Sequence, residues 1–477
     1  MYYHFLFFFV ASGFAFNALS ETKEFGEPQF LEYHDKQSEI IVDQIKRHTQ
    51  DEMKKLNIKT RSTYSPFLQK DRERLLKRLR EECFLKSDSI ESSLISIVNK
   101  IINANQLDIE NPIVLINVEP YANARTHLNG VFEISLGLLS IIENEDQLAF
   151  VLAHEIAHRI KYHGADRIYE FKESDIQRDI VKEFSKISRG SGTLQGLEEI
   201  QNKSYDFFSN SRHQEIEADS LGIQYMLKAK YDKRQAAKVL SGLGLRYLHS
   251  ENPVKPLIFQ LFRESFLPKP YLFEKRLNIY KQVPDNIFVF NRDSIATHPD
   301  LILRQNLLLN DMIEVVAPIT LQTVLNSELF FGLINGAYKA EYYDICLFLA
   351  LYGLQLDLNY SYCVTTISKI LYELNQAIYD NSATNNFYLY VNNYTPDYDD
   401  NLRMVNTFLH NLTREELAEI GYQFLNHPKN FNRDLEDHYW LLSKFCELTD
   451  RTNVFNKIRL TYLDKFPHGI YIDELSK

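Results

Sequence analysis

The stretch Ala153-His154-Glu155-Ile156-Ala157-His158 decides how the rest of this 477-residue sequence is interpreted. It lies in residues 147–162, where apolar side chains recur at the spacing of a helix. Two histidines four positions apart lie one above the other on a helix face, so both imidazoles can bind a single zinc ion. Glu155 is placed to take a proton from metal-activated water. The alternative is a buried helix whose two histidines are merely hydrogen-bonded.

The third zinc ligand must come from elsewhere, because a catalytic zinc site uses three protein ligands and one open position. A histidine six residues after His158 would serve, but Gly164 occupies that place. A glutamate on a second helix fits instead. Ser211 and Gln214 form an S-x-x-Q capping box, which predicts a helix start, and Glu215 follows directly.

Residues near these candidates take supporting or surface positions. Asp219 lies four residues after Glu215 and would accept the free ring N–H of His154, which fixes the tautomer of that ligand. Glu217 points about 160° away from Glu215 on a helix and is the weaker ligand candidate. His163 follows His158 by five residues and is predicted to point off the ligand face toward the surface.

These segments together resemble the HtpX and CAAX-prenyl-protease superfamily of zinc endopeptidases. Within it, the soluble periplasmic branch typified by the beta-barrel assembly-enhancing protease (BepA-like) is the most similar. The resemblance covers about residues 85–310 and rests on residues 154–165, Ser211-Arg212, residues 215–219, Asn123-Ala124, residues 130–139, and Thr297-His298-Pro299 with Arg304. It implies that His154, His158 and Glu215 bind one zinc ion per chain and that Glu155 is the catalytic base.

The resemblance also implies how substrate is held. Residues 130–136 would form a strand at the edge of the cleft that binds an extended polypeptide through backbone hydrogen bonds. The predicted substrate-binding residues are Gly130, Val131, Phe132 and Glu133. This chain departs from the family pattern at residues 127–130, where the family usually has a Gly-Gly and Pro, and in the long gap from Glu215 to His298. His298 would cover the metal or stabilise the oxyanion; alternatively it belongs to a turn before a helix.

The N-terminus reads as a targeting segment. Residues 4–19 are apolar but short for a membrane span, and Ala18-Leu19-Ser20 is an acceptable cleavage site, so residues 1–20 are predicted to be a signal peptide. The first residues lack Lys and Arg, which leaves an uncleaved anchor as the alternative. The expected location is periplasmic or secreted, with no integral membrane span after signal cleavage.

The pattern along the chain predicts a mainly α protein with a small β-sheet. Residues 21–75 are interpreted as a charged, exposed helical leader, and residues 76–311 as a gluzincin-type zinc peptidase domain. Strands are expected at residues 112–118 and 130–136. Residues 312–477 are predicted to be all-α, as a plain helical bundle or as degenerate tetratricopeptide-like repeats suggested by residues 437–467.

Composition narrows the function. A net charge of −11 argues against a nucleic-acid partner, since such proteins normally carry a basic footprint. The sequence therefore predicts a zinc-dependent endopeptidase that degrades or processes unfolded or misassembled envelope or secreted proteins. Its C-terminal helices would contact clients or the envelope protein-assembly machinery. Two alternatives stay open: a non-catalytic secreted chaperone or adaptor with a vestigial or structural zinc site, and a membrane-anchored protease.

Overall fold

A computed structural model describes most of the chain. The described residues are 36–56, 58–173, 182, 194–243, 258–262, 268–274, 304, 327–379, 390–391 and 400–476. The predicted signal peptide and the Thr297-His298-Pro299 segment lie outside these residues, so their roles stay predictions.

The first two helices form a layer against the sheet. Helices α1 (Lys36–Lys55) and α2 (Ile58–Arg80) pack on each other, and a buried apolar cluster joins them to Leu115 in a strand and to Val131 just before another strand. From residue 36 onward, the segment predicted as an exposed leader is therefore part of the folded body. Helix α2 also runs through the boundary predicted at residue 75. The sequence did not reveal the apolar side of these helices, because they also carry many charged residues on the solvent side.

The sheet has three short strands. They are β1 (Val114–Asn117), β2 (Ala124–Thr126) and β3 (Phe132–Ser135), and helix α3 (Asp88–Asn105) packs against β1. The strand order is β1-β3-β2, with β3 parallel to β1 and antiparallel to β2. All four residues of β1 and of β3 are buried, whereas those of β2 are half-buried. Among the described residues, β2 is thus the strand whose outer edge stays open.

The prediction of an edge strand at residues 130–136 is therefore wrong. Strand β3 lies in the middle of the sheet, and both of its sides are paired with neighbouring strands. Its backbone groups are already hydrogen-bonded and cannot hold a substrate. The edge position belongs to β2, which is only three residues long and carries no apolar run that would mark it as a strand.

Among the described residues, five helices follow the sheet and build the centre of the segment predicted as the peptidase domain, residues 76–311. They are α4 (Leu136–Ile141), α5 (Glu145–Ile160), α6 (His163–Glu173), α7 (Leu194–Lys228) and α8 (Arg234–Leu243). Helix α5 packs along α7 and also contacts α3 and α8, so it lies at the centre of the core. Two single 3-10 turns, Phe259–Leu261 and Pro270–Phe273, come next and pack on the C-terminal helices.

The C-terminal region consists of helices wherever the structure describes it. These are α9 (Ser327–Lys339), α10 (Tyr343–Gln355), α11 (Tyr360–Tyr379), α12 (Asp400–Asn411), α13 (Arg414–Leu425), α14 (Glu436–Leu448), α15 (Thr452–Lys465) and α16 (Ile472–Leu475). Together with the three-stranded sheet, they confirm the predicted mainly α fold. Within the described residues, no helix is both long enough and apolar enough to cross a membrane.

Helix α9 joins the C-terminal region closely to the region predicted as the peptidase domain. Its Gly336 faces the Val118 carbonyl so tightly that a Cβ atom there would lie 1.9 Å from the oxygen. One turn earlier, a Cβ atom on Gly332 would lie 2.7 Å from the end of the Leu136 side chain. A single cluster of buried apolar residues extends from Leu85 to Cys446 and spans both regions. The two regions are therefore fused through a common core.

Candidate metal centre

Helix α5 presents the two histidines of the H-E-x-x-H motif. Asn144 caps its N-terminus by accepting a hydrogen bond of 3.1 Å from the backbone N–H of Gln147. The helix is buried from Gln147 to Ala157, which explains its apolar sequence. The Nε2 atoms of His154 and His158 lie 3.0 Å apart, so both lone pairs can be directed at one point.

Helix α7 supplies the third donor. Glu215 is buried and places one carboxylate oxygen 3.4 Å from His154 Nε2 and the other 3.4 Å from His158 Nε2. Ligand atoms about 2.0 Å from a tetrahedral zinc lie roughly 3.3 Å apart, so this donor set and its spacing fit zinc. These three residues form the cluster of potential metal ligands among the described residues. The sequence prediction thus named residues that the fold brings together.

The close approach of α5 and α7 depends on a glycine. A Cβ atom on Gly222 of α7 would lie 3.1 Å from the backbone nitrogen of His154. The predicted helix start at Ser211 is wrong, because α7 begins at Leu194 and Ser211 lies buried within it. A capping-box pattern cannot be distinguished from the same residues inside a longer helix by sequence alone.

Glu155 lies beside the cluster and next to the open edge of the sheet. The Thr126 hydroxyl of β2 is 2.9 Å from the Oε2 atom of Glu155 and 2.9 Å from its backbone carbonyl oxygen. These contacts hold the carboxylate close to the metal ligands and connect it to β2. Thr126 was not among the predicted site residues, because nothing in the sequence marks residues 124–126 as the edge strand.

His154 is held through its second ring nitrogen. Its Nδ1 atom lies 2.9 Å from an oxygen of Asp219, and Arg304 donates two hydrogen bonds of 2.6 Å to the Asp219 carboxylate. Burial opposes a charge on His154, but Asp219 and Glu215 outweigh burial and raise its pKa to about 9. Burial likewise acts to raise the pKa of Asp219, whereas Arg304 and His154 hold it below its ordinary value.

His158 is held through a second histidine. The Nδ1 atoms of His158 and His163 lie 2.8 Å apart, and His163 Nε2 is 3.1 Å from Glu217. The prediction that His163 points to the surface is wrong, since its side chain is only 3% exposed. Burial lowers the pKa of His163, and Glu217 acts in the opposite direction. Glu217 is not among the cluster ligands; it contacts His163 and Lys161 instead.

Arg167 supports the third ligand. It donates hydrogen bonds of 2.9 Å to the side chains of Gln214 and Glu215. Arg167 lies four residues after His163 on α6, so one face of this helix contacts two of the three potential ligands. The charged sequence of α6 gave no signal that would distinguish this face from an ordinary solvated one.

The residues predicted to bind substrate have structural roles. Val131 and Phe132 are fully buried in the core, and Gly130 accommodates the Arg159 side chain. Glu133 is also fully buried and contacts Arg78, Arg125 and His127. Burial acts to raise the pKa of Glu133, but these cations lower it to about 2. A carboxylate held in this way anchors β3 to α2 and β2 and does not face the cleft.

A cavity of about 150 Å³ lies beside His158. Its lining includes Thr126, His158 and Tyr162, together with Lys55 and Tyr64 from the α1–α2 layer. The cavity thus adjoins one residue of the metal cluster and the last residue of β2.

Comparisons with known proteins agree with this chemistry. Residues 89–310 match the sequence model of peptidase family M48. The chain is 27% identical to the mitochondrial metalloendopeptidase OMA1 of Arabidopsis thaliana over 177 residues, which are 36% of this chain and 34% of that protein. It is 29% identical to the mitochondrial metalloendopeptidase OMA1 of Bos taurus over 175 residues, 35% of this chain and 33% of that protein. The chain thus spans about a third of the length of these relatives.

The comparisons support a metallopeptidase domain of the M48 type followed by a helical region. The resemblance inferred from the sequence motifs is confirmed at the level of this family. The narrower assignment to the BepA-like branch stays a prediction.

Proposed function

We propose that this chain, an M48 peptidase domain continued by helices, is a zinc-dependent endopeptidase of the gluzincin type. The convergence of His154, His158 and Glu215 beside Glu155 carries the proposal. This combination suits catalysis, because a structural zinc site has no use for an adjacent carboxylate that does not bind the metal. The rival chaperone or adaptor with a structural zinc would leave Glu155 without a role.

The residues divide the reaction between them. Bound zinc would polarise the scissile carbonyl and make its water a nucleophile near neutral pH. Glu155 accepts one proton as water adds to the carbonyl carbon, and the same proton passes to the amide nitrogen when the C–N bond breaks. Thr126 keeps the Glu155 carboxylate in position through its hydroxyl contact. The products are a new carboxyl terminus and a new amino terminus.

Strand β2 is the proposed substrate platform in place of residues 130–136. Its outer edge, which no described strand pairs with, can pair with an extended polypeptide, and its last residue, Thr126, contacts Glu155. Backbone pairing gives little side-chain selectivity, so selectivity falls to the cavity beside His158. Lys55 and Tyr64, which also line this cavity, precede residue 89, so part of the lining lies outside the segment that matches the family.

The clients and the location of the enzyme are also proposals. Unfolded or misassembled envelope or secreted proteins suit an enzyme with backbone-based recognition, and the predicted signal peptide supports a periplasmic or secreted location. The two relatives carry a mitochondrial designation in their names, which offers an organellar location as the alternative. The C-terminal helices remain the proposed contact with assembly machinery.

Glu155→Gln tests the proposed chemistry. The variant should keep about one zinc per chain by elemental analysis but digest casein roughly 10²–10⁴-fold more slowly, because an amide cannot accept the proton. A chelator should abolish the wild-type digestion, and added zinc should restore it.

Glu145→Gln is the matched control, since Glu145 lies at the other end of α5 and contacts Tyr231. This variant should digest casein like the wild type. Digestion by Glu155→Gln at the wild-type rate would exclude Glu155 as the base. Wild-type protein without zinc and without activity would contradict the proposed function as a whole.

A further inference from the structure

The turn between α5 and α6 places a third histidine, His163, next to the metal cluster. Helix α5 ends at Ile160, and Tyr162 adopts a left-handed backbone conformation with φ 56°. Helix α6 starts at His163 and places its ring against His158, with the two ring centroids 4.9 Å apart. A left-handed conformation is unfavourable for tyrosine by about 1–2 kcal/mol. Backbone hydrogen bonds from Tyr162 N–H to Arg159 O and from Ala165 N–H to Tyr162 O help to hold the turn.

The contacts of His163 leave only one useful arrangement of protons. His158 directs Nε2 at the other two donors, so its proton must reside on Nδ1 if Nε2 is to bind a metal. His163 Nδ1, at 2.8 Å, must then accept that proton's hydrogen bond. The proton of His163 is thereby restricted to Nε2, which lies 3.1 Å from the acceptor Glu217. Glu217 is itself paired with Lys161.

We propose that His163 is a positioning residue that holds His158 in the ring orientation and tautomer needed to bind zinc, with Glu217 and Lys161 fixing His163 in turn. This inference rests on the proposed function. It gives the two histidine ligands different supports, since His154 is backed by a carboxylate and His158 by a neutral imidazole. A neutral acceptor forms a weaker hydrogen bond than a carboxylate does. Asp219 should therefore contribute more to zinc affinity than His163.

The alternative is that His163 has only a packing role in the core. Two substitutions separate the alternatives. His163→Leu keeps an apolar side chain of similar size but removes the acceptor, whereas His163→Asn can place its amide oxygen near the position of Nδ1. A packing role predicts that leucine is tolerated at least as well as asparagine. A positioning role predicts the reverse for metal binding.

The experiment measures zinc affinity by competition with a chelating dye and records the visible spectrum of the cobalt-substituted protein. His163→Leu should weaken zinc binding by roughly 10-fold or more, in the range of other residues that orient metal ligands, and should shift the cobalt bands. His163→Asn should stay within a few-fold of the wild type. At saturating zinc, His163→Leu should lower kcat for a peptide substrate and leave KM nearly unchanged. Leu442→Ala, a buried change in α14, controls for loss of stability and should not alter zinc affinity.

The outcomes separate this inference from the proposed function. Unchanged affinity and spectrum in His163→Leu, in a protein whose wild type binds zinc and digests casein, would overturn the inference alone. Equal losses in the Leu and Asn variants would overturn it too, because the acceptor would then be irrelevant. Wild-type protein that binds no zinc would contradict both this inference and the proposed function. If His163→Leu does not fold, Glu217→Ala decides, since this side chain is 46% exposed and unaltered zinc affinity there contradicts the proposal.

Discussion

At the scale of single residues, the carboxylates around the metal cluster are paired with cations. The pairs are Asp219 with Arg304, Glu217 with Lys161, and Glu215 with Arg167. Several carboxylates within a few ångströms of one another would otherwise repel and favour protonation. The paired cations offset this repulsion.

Asp219→Ala tests the support of His154. The variant should bind zinc roughly 10–100-fold more weakly, because His154 loses the acceptor that orients it. It should also lose on the order of 3–5 kcal/mol of stability, since Arg304 is left buried without its carboxylate. Competition titration and denaturant unfolding measure the two effects. Asp166→Ala on the exposed side of α6 is the control, and equal zinc affinities for the two variants would refute the role.

The residues of the site differ in how far sequence could identify them. His154 and His158 share one uninterrupted helix, so their spacing fixed their common direction. His163 could not be placed in that way, because the helix ends before it and the turn at Tyr162 resets the direction. Thr126 and Arg167 reach the site through contacts between distant elements, which no local pattern encodes.

At the scale of elements, α9 is seated on the peptidase region by a pair of glycines one turn apart. Gly336→Ala should destabilise the protein by about 1–3 kcal/mol, because the new Cβ atom meets the Val118 backbone, which cannot move freely. Gly332→Ala is the matched control: its Cβ atom meets only the end of the Leu136 side chain, and alanine favours a helix by about 1 kcal/mol over glycine. Unfolding in urea compares them, and equal stability would contradict the described contact.

Element types were easier to predict than element order. Helix α5 follows directly from apolar side chains at helical spacing. Strand β3 was found, but its central position was not, because strand order depends on long-range pairing rather than on local sequence. The edge strand β2 was not predicted, because the half-buried sequence Ala-Arg-Thr has no pattern that distinguishes a strand from a loop.

At the scale of the whole molecule, two distant buried histidines contribute to the pH dependence of stability. Burial lowers the pKa of His438 to about 4, where its Nδ1 accepts the backbone N–H of Asn432. The unfolded chain then binds the extra proton between pH 6.5 and 4, so stability falls as the pH drops, by on the order of 3 kcal/mol. Burial acts to lower the pKa of His127 as well, but Asp71 and Glu133 raise it to about 9. Its contribution is complete below pH 6.5 and is lost as the pH rises through 9.

Urea unfolding between pH 5 and pH 9 should therefore show greatest stability near pH 6.5 and one transition for both regions. His438→Asn keeps an acceptor for the Asn432 N–H and should flatten the acid side alone. An acid side of the same slope in this variant would refute the assignment to His438. Two separate transitions would contradict the common core.

The seat of α9 on Val118 also imposes an order on synthesis. The ribosome adds Gly336 about 200 residues after Val118, a delay of roughly 10–40 s at ordinary translation rates. During that interval the nascent chain already contains the segment of the H-E-x-x-H helix. Leu136 and the end of β1 are not yet in contact with α9. We therefore expect the end of β1 to stay uncovered until α9 has been synthesised, well after the helix that carries the H-E-x-x-H motif.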